Sequence, residues 1–346
     1  MTTTPTHRDI DVNGVRLHVA EQGDGPLVLL LHGWPESWYS WRHQIPVLAD
    51  AGYRVVAPDQ RGYARSEQPP DVEDYTLLHL AGDVVGLIDA LGEKQAVLVG
   101  HDWGAPVAWV TSMLRPDLVR GVVGLSIPPI LPTGMVPPSV TSAQYGDSFY
   151  QVYFQHPGLA DAEFARDIEG SFRRFLVGAS GDNPDGAEPR PLLVPDGLGL
   201  LDAMPVDPEL PAWLTEDDIR TYAEDFARHG NRAFTGGFNW YRNIERNHRL
   251  LAAFRGRTVE VPALYIVGDR DMVTSLRPPT GGPSLLDVFR GRATPGTFLT
   301  DAAPLLEGPV VLPGAGHWTQ QERPAEVNAA LLDFLGRLPA EQTAPA

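Results

Sequence analysis

The most informative segment of the sequence reads Ala96-Val-Leu-Val-Gly-His-Asp-Trp-Gly-Ala105. Its apolar run is typical of a buried parallel strand, which we expect to end at Gly100. A helix is predicted to begin near Trp103, so Asp102 lies in the turn between strand and helix. Such a turn strains the backbone of its central residue, and the small neighbours Gly100 and Gly104 leave the clearance that it needs. The Asp102 side chain is then held above the end of the strand, beside the positive end of the helix.

A simpler interpretation of Asp102 is that it caps the helix that follows it, because aspartate is a good N-cap residue. Capping alone does not explain why a glycine stands on each side of the turn. We therefore interpret the segment as the nucleophile elbow of α/β hydrolases, with aspartate in place of serine.

Short apolar runs and helix-like segments alternate around this turn. Strand candidates lie at 15–20, 27–31, 53–57, 96–99 and 119–125, with helix candidates at 37–51, 76–91 and 103–115. Strand signals return at 261–267 and 309–312, and a last amphipathic helix covers 325–337. This alternation predicts an α/β fold, in which a mostly parallel sheet carries helices on both faces.

The composition changes after Leu125. The proline-rich segment from 127 to 138 cannot form a regular helix or a central strand, and residues from about 140 to 250 have a helical pattern rich in aromatic residues. We predict a core made of two segments, 1–133 and 251–338, with a helical lid, or cap, inserted at 134–250. Residues 339–346 are predicted to form a flexible tail.

Charge and composition narrow the possible functions. The chain has 346 residues, no cysteine and a formal net charge of −17. This acidity argues against nucleic acid and anionic membranes as partners, because both select a basic surface. The lack of cysteine excludes disulfides and suits a reducing cytoplasm, where we expect the protein. We expect neither a signal peptide nor membrane insertion, because no apolar run approaches the ~18 residues that a bilayer requires.

Two further loops supply partners for Asp102. His317 stands in the glycine-rich loop Gly314-Ala-Gly-His-Trp318, between a strand signal and a helix signal. An acid that could orient His317 follows the preceding strand, where Asp269 and Asp271 compete for the role. We favour Asp271 for its spacing from the strand, since a Gly-Asp pair such as the one at Asp269 is common in turns. The chain order of nucleophile, acid and histidine is the one expected for an α/β hydrolase.

An early loop, His32-Gly-Trp-Pro35, completes the predicted site. We expect the backbone N–H groups of Trp34 and Trp103 to form an oxyanion hole, donating to charge that develops on an ester carbonyl. Trp34 could equally serve as a hydrophobic wall, and both roles can hold at once.

Six motifs together resemble those of soluble epoxide hydrolases of the bacterial and mammalian type, from about residue 9 to residue 337. They are His32-Gly-Trp-Pro-Glu-Ser-Trp-Tyr-Ser-Trp-Arg-His-Gln-Ile-Pro46, Asp59-Gln-Arg-Gly-Tyr63, Gly100-His-Asp-Trp-Gly104, Tyr150-Gln-Val-Tyr-Phe-Gln155, Asn239-Trp-Tyr-Arg-Asn243 and Gly316-His-Trp318. Any one motif is moderately specific, whereas the ordered set is highly specific.

The resemblance implies an α/β-hydrolase fold with Asp102 as nucleophile, His317 as base and Asp271 as its acid partner. It also implies that Tyr150 and Tyr241 are the two cap tyrosines that hold an epoxide oxygen. Tyr153 competes with Tyr150, because it lies three residues away on a predicted helix and can share its face. The same motifs place four further residues in the substrate pocket: His32, Pro35, Trp240 and Trp318.

Two departures from the family pattern stand out. The segment from 272 to 316 is longer than in relatives, which predicts an extra surface excursion. Ala64 stands in Asp59-Gln-Arg-Gly-Tyr-Ala-Arg-Ser66 where relatives often have glycine, which alters a structural turn without touching a catalytic role.

An aspartate nucleophile favours attack on an sp³ carbon, because attack on an ester would give an anhydride, whereas displacement gives a stable alkyl ester. The candidate substrates are then epoxides and alkyl halides. An epoxide oxygen leaves as an alkoxide and needs a proton, which the two tyrosines could supply. We therefore predict hydrolysis of epoxides to vicinal diols through an ester on Asp102. The predicted substrates are an epoxide and water, with no metal or organic cofactor, and the protein is expected to be a monomer or homodimer.

Two rival functions share this scaffold. A haloalkane dehalogenase would keep the fold, Asp102 and Trp103, but the two cap tyrosines argue against it. A fluoroacetate-type dehalogenase would be expected to have the sequence Asp-Arg-Gly at the nucleophile, where this chain has Asp102-Trp103-Gly104. A non-catalytic ligand-binding protein is the other rival, since fold does not fix function.

Overall fold

An eight-stranded sheet forms the centre of the protein. The computed structural model describes residues 4–129, 136–183, 188–278, 281–294 and 296–339. Within these ranges the strand order is β1-β2-β4-β3-β5-β6-β7-β8. The strands are β1 (Thr6–Val12), β2 (Val15–Gln22), β3 (Leu27–Leu31), β4 (Arg54–Pro58), β5 (Ala96–His101), β6 (Val119–Leu125), β7 (Ala263–Gly268) and β8 (Leu306–Leu312).

The central strands are parallel and buried on both faces. β3 and β5 consist of buried residues throughout, as a strand that is covered by helices on both sides requires. β3 pairs in parallel with β4 and β5, and the parallel pairing continues through β6 and β7 to β8. The carboxyl ends of these strands therefore meet at one edge of the sheet, which is where α/β sheets place their sites.

The antiparallel end of the sheet contains a strand that we did not predict. β1 pairs with β2 from Thr6↔Glu21 to Val12↔Val15, and β2 pairs antiparallel with β4. The turn between them is Asn13-Gly14, and both residues have positive φ, as a tight hairpin requires. β1 escaped notice because most of its side chains are exposed and polar, so that pairing with β2, rather than burial, defines it.

Helices cover both faces of the sheet and form the cap. The α-helices are α1 (Gln44–Asp50), α2 (Leu77–Ala90), α3 (Gly104–Leu114), α4 (Pro138–Tyr145), α5 (Tyr150–Tyr153), α6 (Leu159–Ala165), α7 (Ile168–Gly178), α8 (Glu216–Ala227), α9 (Thr235–Arg242), α10 (Ile244–Leu251), α11 (Leu285–Phe289), α12 (Phe298–Ala302), α13 (Thr319–Glu322) and α14 (Pro324–Arg337). Short 3₁₀ helices lie at Trp38–Trp41, Val72–Tyr75, Leu200–Ala203, Gly230–Arg232, Ala252–Phe254 and Met272–Ser275. In the part of the chain that the structure describes, no helix is both long and apolar enough to cross a bilayer.

The predicted helix at 37–51 is divided in two. A 3₁₀ turn covers Trp38–Trp41, and α1 begins anew at Gln44. Pro46 explains the division, because proline has no N–H and fits only the first turn of a helix.

The cap helices α4 to α10 follow β6 and precede β7. A cluster of aromatic rings joins this layer to the core, with Trp34 of the core 4.7–5.8 Å from the ring centroids of five cap residues: Phe154, Phe164, Phe175, Phe238 and Tyr241. We keep the division into core and cap as a proposal. Its predicted boundary at 133/134 and all of the predicted tail beyond residue 339 lie outside the described residues.

The long segment from 272 to 316 contains regular structure. A 3₁₀ turn, α11 and α12 precede β8, which begins at Leu306 rather than at the predicted 309. The register between β7 and β8 shifts between Leu264 and Ile266. The early part of β8 is mostly exposed, so its sequence lacks the apolar run that marks the central strands.

Candidate active site

Asp102 lies one residue beyond the end of β5, in the turn that leads into α3. Its φ is +47°, a left-handed conformation that costs a residue other than glycine about 1–2 kcal/mol. A side chain at Gly100 would lie 2.2 Å from the carbonyl oxygen of Gly104, and one at Gly104 would lie 2.0 Å from that of Leu31. The backbone contacts explain why both neighbours of the turn are glycine.

The loop after β3 holds the Asp102 carboxylate from one side. The backbone N–H of Trp34 donates to Asp102 Oδ1 at 2.8 Å. A Cβ atom on Gly33 would lie 2.3 Å from Asp102 Cβ, so only glycine fits there. Trp34-Pro35 is a cis peptide bond. Trp103 follows Asp102 directly at the start of α3, so its backbone N–H belongs to the same turn.

His317 lies beside Asp102 on the other side. Its Nε2 atom is 3.6 Å from Asp102 Oδ2, and its Nδ1 atom is 3.0 Å from Asp271 Oδ1. Asp269, the competing acid, instead accepts a hydrogen bond from the backbone N–H of Gly314 at 2.7 Å. The structure thus brings Asp102, His317 and Asp271 together and leaves Asp269 in the turn below.

Ser126 provides a contact that the sequence analysis did not predict. Its Oγ atom lies 3.2 Å from His317 Nδ1, and its backbone has a positive φ of +70° at the end of β6. Its signal in the sequence was weak, since serine after a strand usually marks a turn.

The charges of the site shift the pKa values of its members in opposite directions. Burial alone would lower the pKa of His317, but Asp271 and Asp102 outweigh it and raise that pKa well above its ordinary value. Burial alone would raise the pKa of Asp102, but the hydrogen bond and charge of His317 lower it. The two carboxylates thus favour the protonated form of His317, and His317 favours the ionised form of Asp102.

The two cap tyrosines lie close to each other above this site. The ring centroids of Tyr150 and Tyr241 are 5.9 Å apart, and the Tyr241 ring meets that of Trp103 edge-on at 5.1 Å. Burial raises the pKa of both phenols, and the charge of Asp102 raises both pKa values further. Tyr153 donates its hydroxyl to Glu163 at 2.8 Å and is engaged elsewhere in the cap.

The residues predicted to line the pocket prove to be structural as well. The Nδ1 atom of His32 donates to the carbonyl of Gly33 at 2.8 Å, and Nε2 accepts from the N–H of Gln60 at 3.0 Å. Both ring nitrogens are used, so His32 supports the loop beneath the site.

Two predicted tryptophans are fully buried and hydrogen-bonded to backbone carbonyls. Trp240 donates to Arg61 at 3.1 Å and its ring meets that of Trp103 at 6.0 Å. Trp318 donates to Leu176 at 2.7 Å and packs against His317, with ring centroids 4.7 Å apart.

A buried acid–histidine pair lies below the site and was missed from the sequence. Glu36 Oε2 is 2.7 Å from His101 Nδ1, and His101 Nε2 donates to the carbonyl oxygen of His317 at 2.8 Å. Burial alone would raise the pKa of Glu36, but His101 and its hydrogen bonds lower it. The sequence feature that could have indicated this pair is the presence of a glutamate and a histidine within largely apolar segments.

Within the described ranges, no group of three or more histidine, cysteine, aspartate or glutamate side chains is arranged to hold a metal ion. The polar groups of the site are instead an acid, an imidazole, a second acid, backbone N–H donors and two phenols.

A parallel sheet with an acid, a histidine and a second acid on its strand ends, below a helical cap, defines an α/β hydrolase. Comparison with protein families agrees, because residues 26–279 match the model of the alpha/beta hydrolase fold. The predicted fold class is confirmed.

Similarity to individual proteins narrows the class. The chain is 44% identical to epoxide hydrolase A of Mycobacterium tuberculosis over 338 residues, which cover 96% of this chain and 97% of that protein. It is 42% identical to epoxide hydrolase 2 of Siraitia grosvenorii, with 95% and 98% covered. The crystal structure of epoxide hydrolase A from Mycobacterium thermoresistibile matches with a TM-score of 0.85 and 44% identity, covering 98% of this chain and all of that one. The chain belongs to the epoxide hydrolase family, as the resemblance predicted.

Proposed function

We propose that this enzyme hydrolyses epoxides to vicinal diols through a covalent ester on Asp102. One observation carries the proposal: a single carboxylate contacts both a backbone N–H donor and an imidazole, below a pair of cap phenols whose rings are 5.9 Å apart. An aspartate nucleophile suits attack on an sp³ carbon, because the product is an alkyl ester that water can hydrolyse.

In the first step Asp102 opens the ring. Oδ1 is held by the Trp34 N–H, so Oδ2 is the oxygen that attacks the epoxide carbon. A C–O bond of the ring breaks as the new ester bond forms, and the ring oxygen takes a proton from one phenol while the other donates a hydrogen bond. Tyr150 and Tyr241 are the donors in this proposal, because they are paired in the cap above Asp102.

In the second step water cleaves the ester. His317, oriented by Asp271, takes a proton from water, and the resulting hydroxide adds to the ester carbonyl carbon. The charge that develops on Oδ1 rests on the N–H groups of Trp34 and Trp103. Collapse of this intermediate breaks the ester C–O bond, and the leaving alkoxide takes the proton of the added hydroxyl group. This releases the diol and restores the Asp102 carboxylate, and the proton on His317 returns the phenolate to phenol.

Isotope labelling tests the covalent route. In a single turnover with excess enzyme in ¹⁸O-water, the label is expected in the Asp102 carboxylate and not in the diol, because water attacks the ester carbonyl. Mass spectrometry of the Asp102 peptide and of the diol measures both. Label that enters the diol in the first turnover would show direct attack of water on the epoxide and reject the proposal.

Trapping the ester gives a second test. In His317→Gln the first step remains possible while the second loses its base, so an adduct of substrate mass is expected on Asp102. Styrene oxide, a fatty-acid epoxide and a bulky trans-disubstituted epoxide are suitable probes. Halide release from chloro- or bromoalkanes without turnover of any of these epoxides would instead favour a dehalogenase, and epoxide binding without diol would favour a ligand-binding protein.

We also propose that the enzyme works in the cytoplasm as a monomer or homodimer. A chain without cysteine suits a reducing compartment. Cell fractionation with antibody detection tests the location, and light scattering after size-exclusion chromatography decides between monomer and homodimer.

A further inference from the structure

The buried carboxylate of Glu322 has no part in the mechanism above. It is only 5% exposed and accepts three backbone hydrogen bonds. Oε2 accepts from the N–H groups of Gly181 and Gly316, both at 2.9 Å, and Oε1 accepts from the N–H of Trp318 at 3.0 Å. Three donors converging on one buried side chain match a carboxylate, which only accepts.

The positions of these donors give the contact its meaning. Gly316 and Trp318 flank His317, so Glu322 holds the backbone on both sides of the imidazole. Gly181 belongs to the cap, three residues beyond the end of α7. The loop from Gly314 to Trp318 is called the histidine loop below. One side chain therefore joins two residues of the histidine loop to each other and to the cap.

The two segments meet backbone against backbone. A Cβ atom on Gly316 would lie 2.1 Å from the nitrogen of Gly181, and one on Gly181 would lie 2.2 Å from the carbonyl oxygen of Gly314. Only glycine permits this approach, which places the Gly181 and Gly316 N–H groups together on Oε2.

Three other hydrogen bonds join the core to the cap near the end of α7. The backbone N–H of His317 donates to the carbonyl of Ala179 at 3.0 Å, and Trp318 Nε1 donates to that of Leu176 at 2.7 Å. Arg270 Nη1 donates to the carbonyl of Gly181 at 2.8 Å. The end of α7 and the residues after it are thus bonded both to the histidine loop and to the loop after β7.

We propose that Glu322 is a positioning residue for the hydrolytic step, which sets the imidazole of His317 against Asp102 and couples that placement to the cap. Glu322 acts through His317, so its effect falls on the step that uses the base. The kinetic part of this inference rests on the proposed function.

Glu322→Gln tests the inference with little change in shape. A carboxamide oxygen can replace Oε2, but its NH₂ group then faces the Trp318 N–H, and the other orientation is worse because two donors face it. A shift of His317 by about 1 Å can cost about 100-fold in rate. We expect kcat to fall by about 10- to 100-fold. The ratio kcat/KM reports ester formation and should change little, so KM should fall together with kcat. The ester should then accumulate, as stopped-flow experiments can measure.

A measurement on the resting enzyme separates this idea from the proposed function. The Nδ1 proton that His317 shares with Asp271 should give a low-field proton NMR signal, and that signal should shift or broaden in Glu322→Gln. If the wild type forms no ester with any epoxide, the proposed function fails and the NMR result alone decides the role of Glu322.

Two variants act as controls. Glu326→Gln changes an exposed glutamate in the same region and should leave kcat and the NMR signal unchanged. Glu322→Asp keeps the charge but shortens the side chain, so it should shift both in the same direction by less, and it serves if Glu322→Gln does not fold. Unchanged kcat, or an equal fall in kcat and kcat/KM with an unchanged NMR signal, overturns the inference.

Discussion

The active site has two halves that are held in different ways. Strand ends and hydrogen-bonded turns hold the core half, which consists of Asp102, His317 and Asp271. Aromatic packing on cap helices holds the cap half, which consists of Tyr150 and Tyr241. In the core half, neighbouring backbone atoms leave no room for a side chain at Gly33, Gly100 or Gly104. In the cap half, the rings near the two tyrosines contact one another edge-on or tilted, with centroids 5.9 Å apart in Tyr150–Tyr241 and 4.6 Å apart in Phe154–Phe238.

The two halves should therefore tolerate substitutions differently. An atom added to the backbone turn displaces the nucleophile directly, because no side chain there can rotate away. Ring contacts are worth about 0.5–1.5 kcal/mol each and can be exchanged for others of similar size. We therefore expect the core half to tolerate the least change. The packing of the cap half can change, and with it the epoxide that fits, as long as its two phenols are kept for ring opening.

The largest expected effect comes from adding one carbon to the core half. In Gly33→Ala the new Cβ would lie 2.3 Å from Asp102 Cβ, so the nucleophile or the Trp34 loop must move. We expect a loss of about 10³-fold or more in kcat/KM, since a misplacement of about 1 Å already costs about 100-fold. Gly336→Ala is the control, because its site is exposed and open, and it should keep full activity. Activity of Gly33→Ala within tenfold of wild type would show that the turn is more adaptable than we infer.

Removing one phenol from the cap half should have the next largest effect. Tyr241→Phe and Tyr150→Phe keep the ring packing but remove a proton donor, and general acid catalysis contributes about 10²–10⁴-fold. We expect a smaller loss from each single variant, because the other phenol remains, and the full loss from the double variant. Tyr153→Phe is the control, since its hydroxyl is bonded to Glu163. Ester formation measured by rapid quench should account for the whole loss, and a loss confined to ester hydrolysis would contradict these roles.

The same contrast explains what could be predicted from the sequence. The Asp102 turn is local, so glycine spacing and an apolar strand were enough to predict its form, and the parallel sheet followed from the alternation of strands and helices. The fold class and family are confirmed by the comparisons. The roles of the site residues remain predictions, although the structure brings the three triad members together.

The remaining features depend on contacts between distant segments. Glu36 meets His101 across 65 positions and Glu322 meets Gly181 across 141, and nothing in the local sequence reports such distances. His32 has the appearance of a site residue because it stands in the motif, but both of its ring nitrogens bind backbone. β1 was missed because it is defined by its partner strand rather than by its own apolar residues.

Ser126 allows the core half to be rearranged. Its Oγ atom is 3.2 Å from His317 Nδ1, so a carboxylate at this position can reach the imidazole. Aspartate also tolerates the left-handed backbone found there. Asp271→Asn should lose about 10²–10⁴-fold in kcat, and adding Ser126→Asp should recover at least about tenfold of it, equivalent to ~1.4 kcal/mol.

The matched control for this rescue is Ser126→Asn with Asp271→Asn, which has the same size but no charge. Steady-state kinetics on one epoxide compares the three proteins. Equal activity of the two double variants would show that the position after β6 cannot orient His317 by charge.

The pH dependence of the second step should move when Asp102 is esterified. Asp271 and Asp102 raise the pKa of His317 in the resting enzyme, and the water-activating form is the neutral imidazole. The ester removes the charge of Asp102, so the pKa of His317 falls and the neutral form persists to lower pH. The rate of ester hydrolysis should therefore rise with pH at lower values than those at which NMR shows His317 to titrate in the free enzyme. Coincident midpoints would contradict this electrostatic account.

The smallest expected effect concerns Ala64, a buried residue with a left-handed backbone. Its φ is +46° and it is fully buried, so Ala64→Gly relieves left-handed strain of about 1 kcal/mol or more. The same change removes one buried methyl group worth about 0.8 kcal/mol and adds chain entropy to the unfolded state. These effects nearly cancel, so we expect the free energy of unfolding to change by less than about 1 kcal/mol and the activity to stay the same, as urea denaturation and kinetics can measure. Ala64→Val should instead be clearly destabilising, because a branched side chain tolerates positive φ poorly. The Ala64 carbonyl also accepts a hydrogen bond from His229 of the cap at 2.8 Å, so the turn contacts the cap. If Ala64→Gly altered turnover severalfold, this turn would have a role in catalysis as well as in stability.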